Sequence, residues 1–316
     1  MFRMRSYTIG PKDKGTRLSR FLEKQTPGLS LSMMYRAIRT KHIKINGKRT
    51  EASYRLQEND LLEIWMDDNM LGEPEKEKRP DFMQASREIK VVYEDDNIAV
   101  LDKPKGVFSH PVKGVYSDTM ISRFLRYLYE KNEYHPDDRF TPALCNRLDR
   151  NTRGLLIAAK NHNALEAVNS LIADRKIEKI YYAVCVGESA FDGIYTAYLS
   201  KDKKKNQVTV TSGPVTNSSR IITEFHSLKN RNGLSLVCAV LHTGKTHQIR
   251  AHLAFLGHPI LGDTKYGAQD ANSKWKKKNQ CLVSYELIFH TDPDSLLSSL
   301  NGKKFSVAEE PFPDLF

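Results

Sequence analysis

Apolar residues recur every three or four positions in four segments of the chain, a spacing that predicts amphipathic helices. The four segments are residues 16–25, 30–40, 163–176 and 246–257. Ser30 or Ser32 can cap the second helix, and Thr246 can cap the fourth. Asn163 and Glu166 resemble a capping box at the start of the third. The pattern therefore predicts two helices near the N-terminus and two in the later part of the chain.

Shorter apolar runs, some of them alternating, predict strands through the rest of the chain. Near the N-terminus, KHIKINGKRT alternates around Ile43 and Ile45 and is turned by Asn46-Gly47, and LLEIW follows it. Later runs are IKVVY, NIAVLDK, GLLIAAK, KIYYAVCVG, QVTVT, IITEFHSL and LSLVCAVL. Many strands with few helices, not in strict alternation, predict an α+β fold with a mixed, largely antiparallel sheet.

Composition divides the chain into predicted domains. Residues 15–65 form a small mixed α/β unit with its own helices and hairpin. Residues 66–87 are rich in charge, contain Gly and Pro and have no apolar period, so we interpret them as a linker. A larger second domain is predicted over residues 88–300, followed by a C-terminal tail over 301–316.

The chain of 316 residues carries 49 Lys and Arg against 38 Asp and Glu, a net charge of +11. This balance favours a polyanionic partner, nucleic acid first and a membrane surface second. Residues 36–49 contain six basic residues and no acid: Arg36, Arg39, Lys41, Lys44, Lys48 and Arg49. A solvated surface would also explain such charge, but this basic stripe continues through a helix, a strand and a turn. We therefore predict that it binds an RNA or DNA backbone.

The cysteines and the N-terminus limit the cellular location. The four cysteines, Cys145, Cys185, Cys238 and Cys281, stand at least 40 residues apart, so no CxxC motif for zinc or redox chemistry exists. We predict reduced thiols. The N-terminus has no apolar signal region, and no stretch approaches 18 consecutive apolar residues. A cytoplasmic protein that neither crosses nor binds a membrane is expected.

Two common catalytic classes are excluded by spacing. LHTGKTHQIR contains GKT, but the phosphate-binding loop needs a glycine where this chain has Ala239, which disfavours a nucleotide hydrolase. The histidines near this segment have no pair at the i, i+4 spacing that puts two imidazoles on one helical face. We therefore predict no metal site.

Three polar features remain that a core does not explain. Asp149 stands between Arg147 and Arg150 in NRLDRNTRGLLIAAK, Arg250 lies in THQIRAHL, and KIYYAVCVG carries two adjacent tyrosines. Taken singly, each has an ordinary structural explanation: a surface ion pair, a solvated helix residue and sheet packing.

Taken together, these segments resemble the motifs of the RluA family of RNA pseudouridine synthases, in order, over residues 15 to about 290. NRLDRNTRGLLIAAK is similar to the family's HRLDxxTSG segment, DNIAVLDKPKGVFSHP to its DKPxG segment and KIYYAVCVG to its KxYxAxxxG strand. LHTGKTHQIRAHLAFLGHPILGDTKYG is similar to its third motif, and residues 15–65 resemble an RNA-binding domain of ribosomal-protein S-four type. The chain departs from the pattern at Asn146, where the family has histidine, and at Arg153, where it has serine.

The resemblance implies a pseudouridine synthase fold and a reaction without a cofactor. Pseudouridine formation breaks the bond from uracil nitrogen to the anomeric carbon, turns the base and rejoins it through carbon, with neither redox change nor group donor. The resemblance implies that Asp149 is the ionised carboxylate that acts as nucleophile or base. It further implies that Arg250 stabilises the charged form of Asp149 and that Tyr181 stacks on the flipped base.

RNA contacts follow from the same resemblance. The target uridine must leave its stack to reach Asp149. We assign Arg147 and Arg150 to passing phosphates, and Lys245 and His247 to RNA binding, in addition to the basic stripe.

The predicted function is therefore isomerisation of specific uridines in structured RNA. Large-subunit ribosomal RNA is the expected substrate, since the resemblance implies that the accessory domain is usual among relatives directed to ribosomal RNA. Transfer RNA is the alternative substrate, and a catalytically silent RNA-binding or ribosome-assembly factor is the alternative class. We expect a monomer with no metal.

Overall fold

The computed structural model describes residues 3–10, 13–72, 81–112, 114–115, 117–202 and 207–316. The chain divides into two units, Met1–Arg79 and Pro80–Phe316. Each unit has its own hydrophobic core, and the two are described separately.

The first unit is a four-stranded antiparallel sheet that packs against helices. Its elements are β1 (Arg3–Thr8), α1 (Leu18–Gln25), α2 (Leu31–Arg39), β2 (Ile43–Ile45), β3 (Lys48–Arg49), β4 (Leu61–Met66) and α3 (Asp68–Leu71). The strands run in the order β1-β4-β2-β3. The apolar sides of α1 and α2 meet the sheet in one core, in which Leu22, Ile43 and Ile64 are fully buried.

The local signals of this unit act as the sequence predicts. Ser30 caps α2 by accepting a hydrogen bond from the Met33 amide, at 3.4 Å. Asn46 and Gly47 have φ values of 52° and 71°, and two consecutive positive values are what a tight type I′ hairpin turn requires. β2 and β3 therefore form the predicted hairpin.

The first unit differs from the predicted range of 15–65 at both ends. β1 pairs with β4 along its whole length, and Leu71 of α3 is buried in the same core. A pairing across more than fifty residues leaves no local pattern in the sequence. Of the predicted linker, 66–87, residues 73–80 lie outside the described part of the chain.

The second unit is built on an eleven-stranded sheet. Its strands are β5 (Lys90–Glu94), β6 (Ile98–Lys103), β7 (Ala143–Leu144), β8 (Arg153–Ala159), β9 (Ile177–Val186), β10 (Asp192–Asp202), β11 (Gln207–Thr211), β12 (Ser219–Arg231), β13 (Leu234–Leu241), β14 (Leu282–Phe289) and β15 (Lys304–Ser306). Its helices are α4 (Met120–Glu130), α5 (His162–Ala173), α6 (Gln248–Phe255) and α7 (Gln269–Lys274), with single 3₁₀ turns at Asp81–Gln84 and Ser298–Leu300.

The strand order is β11-β10-β12-β13-β9-β14-β8-β6-β5, with β15 beside β14 and β7 beside β8. Among the described strands, β14 and β8 form the one parallel pair, and the other neighbours are antiparallel. The predicted α+β class with a mixed, largely antiparallel sheet is confirmed.

β8 is covered by helices on both faces. Leu155 and Ile157 belong to a core that includes α5, while Leu156 and Ala158 belong to a second core that includes α4. Alternate side chains of a strand point to opposite faces, so a strand buried on both sides becomes a continuous apolar run. This explains the sequence GLLIAA, and it fixes the segment that follows Asp149.

The helices of the second unit correct two details of the prediction. Asn161, rather than Asn163, caps α5, because its side chain accepts the Ala164 amide at 2.9 Å. α4 was not predicted. No helix in the described part of the chain is long and apolar enough to cross a membrane.

The segment predicted as a tail, 301–316, folds onto the second unit. β15 pairs with β14, with Ser306 opposite Glu286, and Leu315 is buried in a core that includes Val184. The end of the sequence therefore contributes to the packing of this unit.

We expect Gly154→Ala to lower the free energy of unfolding by about 2–4 kcal/mol, because it combines a backbone clash with an unfavourable backbone angle. Gly154 has φ +117°, and a Cβ there would lie 2.1 Å from the backbone oxygen of Ser284 in β14. Urea denaturation measures the change. Gly213→Ala is the control, since nothing lies within 4 Å of its added Cβ. Equal stability of the two variants would contradict this close approach of β8 and β14.

Candidate active site

Asp149 lies in the loop that joins β7 to β8, and hydrogen bonds hold this loop on both sides of it. Ser109 Oγ donates to the carbonyl of Leu148 at 2.9 Å and accepts from the Leu148 amide at 3.1 Å. The Gly106 amide donates to the carbonyl of Arg150 at 2.9 Å. The backbone position of Asp149 is therefore set by the segment that follows β6.

Lys103, at the end of β6, is a buried lysine that contacts the Asp149 loop. Its side chain is fully buried, and Nζ donates to the carbonyls of Pro104, Val107 and Arg150 at 2.8–2.9 Å. Burial lowers the pKa of Lys103 to about 7, and nearby negative charge, that of Asp149 first, opposes this shift. The three carbonyl acceptors match the three N–H donors of an ammonium group. Lys103 thus joins the DKPKG segment to the Asp149 loop.

Arg250 of α6 connects Asp149 to a second carboxylate, that of Asp263. Its Nη1 donates to Asp149 Oδ2 at 2.7 Å, while Nε and Nη2 donate to the two oxygens of Asp263 at 2.6 and 2.9 Å. Burial lowers the pKa of Arg250, but the ion pairs with Asp263 and Asp149 outweigh it, so the pKa is raised. Arg250 is therefore a permanent cation, clamped in a bidentate pair and directed at Asp149.

Asp263 is fully buried and fully hydrogen-bonded. Besides Arg250, its Oδ1 accepts the backbone amides of Lys265 and Tyr266 at 2.8 and 3.1 Å. Burial raises the pKa of Asp263, yet the hydrogen bonds and charge of Arg250 and the two amides lower it overall. The carboxylate therefore stays ionised and holds the guanidinium in place.

A second chain of contacts approaches Asp149 through His247. Its Nε2 lies 3.8 Å from Asp149 Oδ1, and its Nδ1 is hydrogen-bonded to the Tyr266 hydroxyl at 2.9 Å. Burial lowers the pKa of His247, while the charge of Asp149 opposes this. His247 occupies the N-cap position of α6 with φ 55°, a left-handed conformation that is uncommon for a residue with a side chain. Thr246, the predicted cap, does not occupy that position.

Tyr181 of β9 contributes a buried phenol. Its side chain belongs to the core that includes α6, and 6% of the residue is exposed. Burial raises the pKa of Tyr181 to about 12; its hydrogen bond with Ser284 opposes this increase, and the charge of Asp149 adds a smaller one. The hydroxyl is therefore protonated at neutral pH.

One cavity of about 380 Å³ brings these groups together. The polar side chains in its wall include Asn146, Arg147, Asp149, Lys179, Tyr181, Lys245, His247 and Arg250. They come from three motifs that lie far apart in the sequence. The side chain of Asp149 is 28% exposed, whereas that of Arg250 is 7% exposed. The carboxylate can therefore be reached from the cavity while its cationic partner is shielded.

Some predicted RNA-binding residues lie elsewhere. Arg150 does not line this cavity: its Nε donates to the carbonyl of Gly106 at 3.0 Å, and its guanidinium lies 5.1 Å from the centre of the Phe108 ring. The basic stripe belongs to the first unit. There Lys44 stands opposite Arg49 in the hairpin. The remaining four stripe residues are exposed: Arg36, Arg39, Lys41 and Lys48.

The two departures from the family pattern have different surroundings. Asn146 lines the cavity, and its Oδ1 accepts the Ile157 amide at 2.8 Å, which orients the side chain. Its buried Nδ2 has no hydrogen-bond partner among the described residues. Arg153 instead contacts Glu309 and Asp102, at 2.6 and 3.4 Å, and lines a different cavity.

Four residues of the site were not assigned a role from the sequence: Lys103, Lys179, Asp263 and Tyr266. All four lie in segments that resemble family motifs, and Lys179 is the lysine that begins KIYYAVCVG, so the signal was present without a role. Burial lowers the pKa of Lys179. Among the described residues, no group of three His, Cys, Asp or Glu side chains could hold a metal ion, and the four cysteines are unpaired.

Comparison with known proteins shows the family to which the chain belongs. A protein-family model described as RNA pseudouridylate synthase matches residues 97–255, half of the chain. The chain belongs to this family. A model of the S4 domain matches residues 16–62, within the first unit of this RNA pseudouridylate synthase. The predicted resemblance to RluA-type enzymes with an S-four-type domain is confirmed.

Relatives of similar length support the assignment. The ribosomal large subunit pseudouridine synthase D of Borreliella burgdorferi is 33% identical over 230 residues, which cover 71% of this chain and 68% of that protein. The ribosomal large subunit pseudouridine synthase C of Vibrio cholerae is 32% identical over 258 residues, which cover 80% and 77%. The human RNA pseudouridylate synthase domain containing 4 protein shares the fold, with a TM-score of 0.54, 21% identity and coverage of 71% and 89%.

We expect Asp263→Asn to lower kcat about 100-fold with KM almost unchanged, because a guanidinium held by one neutral amide no longer presents Nη1 to Asp149 in a fixed position. Single-turnover assays of pseudouridine formation measure the effect. Asp118→Asn is the matched control, since Asp118 forms a bidentate pair with Arg123, at 2.8 Å for both bonds, away from the cavity. A loss of kcat as large in the control would mean that Asp263 acts through general stability.

Proposed function

We propose that this RNA pseudouridine synthase isomerises uridine in large-subunit ribosomal RNA and that Asp149 is its catalytic carboxylate. The observation that carries the assignment of Asp149 is its environment. Asp149 is the carboxylate in the wall of the cavity, and Arg250 and Tyr181 approach it from separate motifs. A lone carboxylate that can be reached from a cavity the size of a small-ligand pocket is what the isomerisation needs.

The two oxygens of Asp149 have different partners. Oδ2 accepts the hydrogen bond from Arg250, whereas Oδ1 accepts none from the described residues and lies 3.8 Å from His247. Oδ1 is therefore the oxygen left for substrate. It acts on the ribose or the base as a nucleophile, or removes a proton from the sugar. Each of these roles uses an ionised carboxylate and needs neither redox change nor a group donor.

Tyr181 supports the binding of a flipped base. A protonated phenol ring in the wall beside Asp149 offers a face for stacking and a hydroxyl for hydrogen bonding. Extruding a nucleotide costs a few kcal/mol, least where it is already unpaired. The proposed substrate position is therefore a uridine in a loop or a weak stem.

Positive charge around the cavity and on the first unit supports an RNA substrate. Arg147 and Lys245 line the cavity and can pair with phosphates on either side of the flipped nucleotide. The exposed stripe of the S4 domain adds a second phosphate contact region. The names of the Borreliella and Vibrio relatives favour large-subunit ribosomal RNA over transfer RNA. A ribosomal substrate also agrees with the cytoplasmic location expected from the sequence.

We expect Asp149→Asn to abolish turnover while RNA affinity changes less than about twofold, because the substitution keeps the shape of the side chain and removes its charge. Pseudouridine mapping of total RNA from cells without the gene, complemented by the wild type or by the variant, measures the effect. A site that is lost with the gene and restored by the wild type alone also identifies the substrate.

Asp192→Asn is the control for this experiment, since Asp192 is a largely exposed carboxylate of the same unit, away from the cavity. It should restore every lost site. Restoration by Asp149→Asn would exclude the proposed role of Asp149, and loss of sites in transfer RNA alone would exclude the ribosomal substrate.

We expect Arg39→Glu/Lys48→Glu to weaken RNA binding about tenfold or more and to reduce the slope of log K against log salt by about 2, because two phosphate contacts are lost. Filter binding over a range of KCl concentrations measures both quantities. Lys14→Glu/Arg20→Glu makes the same change of charge in the first unit outside the stripe. An unaltered salt slope in the stripe variant, or the same change in both variants, would contradict a specific contact between this stripe and phosphate.

A further inference from the structure

Three features of the sequence have no part in the proposed reaction: Arg153, the lysine run at 276–278 and the acidic residues near the C-terminus. All three lie in one groove of the second unit, a cavity of about 1340 Å³. Their positions in the sequence do not predict that these residues lie close together. A groove of this size, separate from the Asp149 cavity, is large enough to bind a ligand of its own.

The wall of the groove is strongly charged. Its basic residues are Lys90, Lys105, Arg123, Arg153, Lys276, Lys277 and Lys278. Its acidic residues are Glu88, Asp102, Glu309, Glu310 and Asp314. Three of these five acids come from residues 309–314, which we call the acidic segment. Without that segment the groove would present seven basic residues and two acidic ones, the composition of a polyanion site.

The acidic segment is fixed at its apolar residues and exposed at its carboxylates. Leu315 is buried in a core with Val184 and Cys281, and Phe312 packs against the same core. By contrast, the side chains of Glu309 and Asp314 are 66% and 59% exposed. The backbone is therefore anchored, while these carboxylates can turn away without unfolding it.

Two carboxylates of the acidic segment form ion pairs with two cations of the groove wall. Glu309 Oε2 accepts from Arg153 Nη1 at 2.6 Å, and Asp314 Oδ2 accepts from Lys277 Nζ at 2.5 Å. Exposed ion pairs of this kind contribute little to stability, so a competing anion can replace them readily. Lys276 and Lys278 are exposed on either side of Lys277 and line the groove as well.

The groove adjoins the loop that carries Asp149. Arg153 follows that loop directly, and Lys105 precedes Gly106, whose amide donates to the carbonyl of Arg150. Leu282 of β14 lines both the groove and the Asp149 cavity. The groove and the Asp149 cavity are therefore neighbours in the second unit.

We propose that this groove is a second binding site for the phosphate backbone of RNA and that Glu309 and Asp314 occupy two phosphate positions until RNA replaces them. The proposal rests on the proposed function for the identity of the ligand. On binding, two phosphates take the places of two carboxylates on Arg153 and Lys277. Lys105, Lys276 and Lys278 add contacts that the acidic segment leaves open.

The test compares the full chain with Glu309→Gln/Asp314→Asn in filter binding to a transcript of large-subunit ribosomal RNA. We expect the variant to bind about threefold to tenfold more tightly at low salt. The slope of log K against log salt should change by less than about 1, because RNA contacts the same phosphates once it has replaced the carboxylates, and the gain comes from the lost competition. Lys276→Glu/Lys278→Glu should weaken binding and make the slope shallower by about 2, because two phosphate contacts are lost.

Glu178→Gln/Asp292→Asn is the matched control. Both carboxylates are ion-paired and substantially exposed, with His290 and Lys176 respectively, and neither lines the groove. This pair makes the same change of net charge, so an equal gain in affinity would mean general attraction and overturn the proposal. Unchanged affinity and slope in both groove variants would overturn it as well. Pseudouridine formation by the wild type on the same transcript reports on the proposed function alone.

Discussion

Arg250 lies buried between Asp263 and Asp149, and three of its nitrogens donate to carboxylate oxygens at 2.6–2.9 Å. A buried cation without a partner would cost several kcal/mol, and Asp263 alone is enough to neutralise it. Asp149 is then an additional negative charge, so the group of three carries a net charge of −1. Such a group cannot be buried completely. This explains why Asp149 extends into the cavity, where Arg147, Lys179 and Lys245 supply positive charge.

The site forms where two parts of the sheet join. The loop of Asp149 is held by Lys103 at the end of β6 and by Ser109 in the segment that follows, while Tyr181 belongs to β9. β14 stands between β8 and β9, antiparallel to β9 and parallel to β8. The close approach of Gly154 to Ser284 allows this parallel contact. The distance between Asp149 and its partners therefore depends on the pairing of β14, which no local feature near Asp149 encodes.

The sequence predicted which residues lie in the cavity better than it predicted the contacts that hold them there. Motif order was enough to bring Asp149, Tyr181 and Arg250 together, because relatives that share these segments share the fold. Asp263 gained no role, since an aspartate after glycine in a loop is common and its bidentate contact joins residues thirteen positions apart. β10 was missed because its sequence, DGIYTAYLSKD, has glycine as its second residue and alternates weakly. The register of β8 against β14 directs Arg153, which departs from the family pattern, to the neighbouring groove.

In this arrangement, one set of contacts provides affinity for RNA and another selects the uridine. The proposed phosphate contacts, from the S4 stripe, from Arg147 and Lys245, and from the groove, carry no base information, because every nucleotide presents the same charge. They would hold many RNA segments equally well. Selection must then come from which uridine can leave its stack and enter a cavity of about 380 Å³ beside Asp149. Carboxylates that occupy part of the groove weaken the contacts that do not discriminate and leave the cavity unchanged. The acidic segment would therefore increase the fraction of the binding free energy that depends on whether the correct uridine enters the cavity.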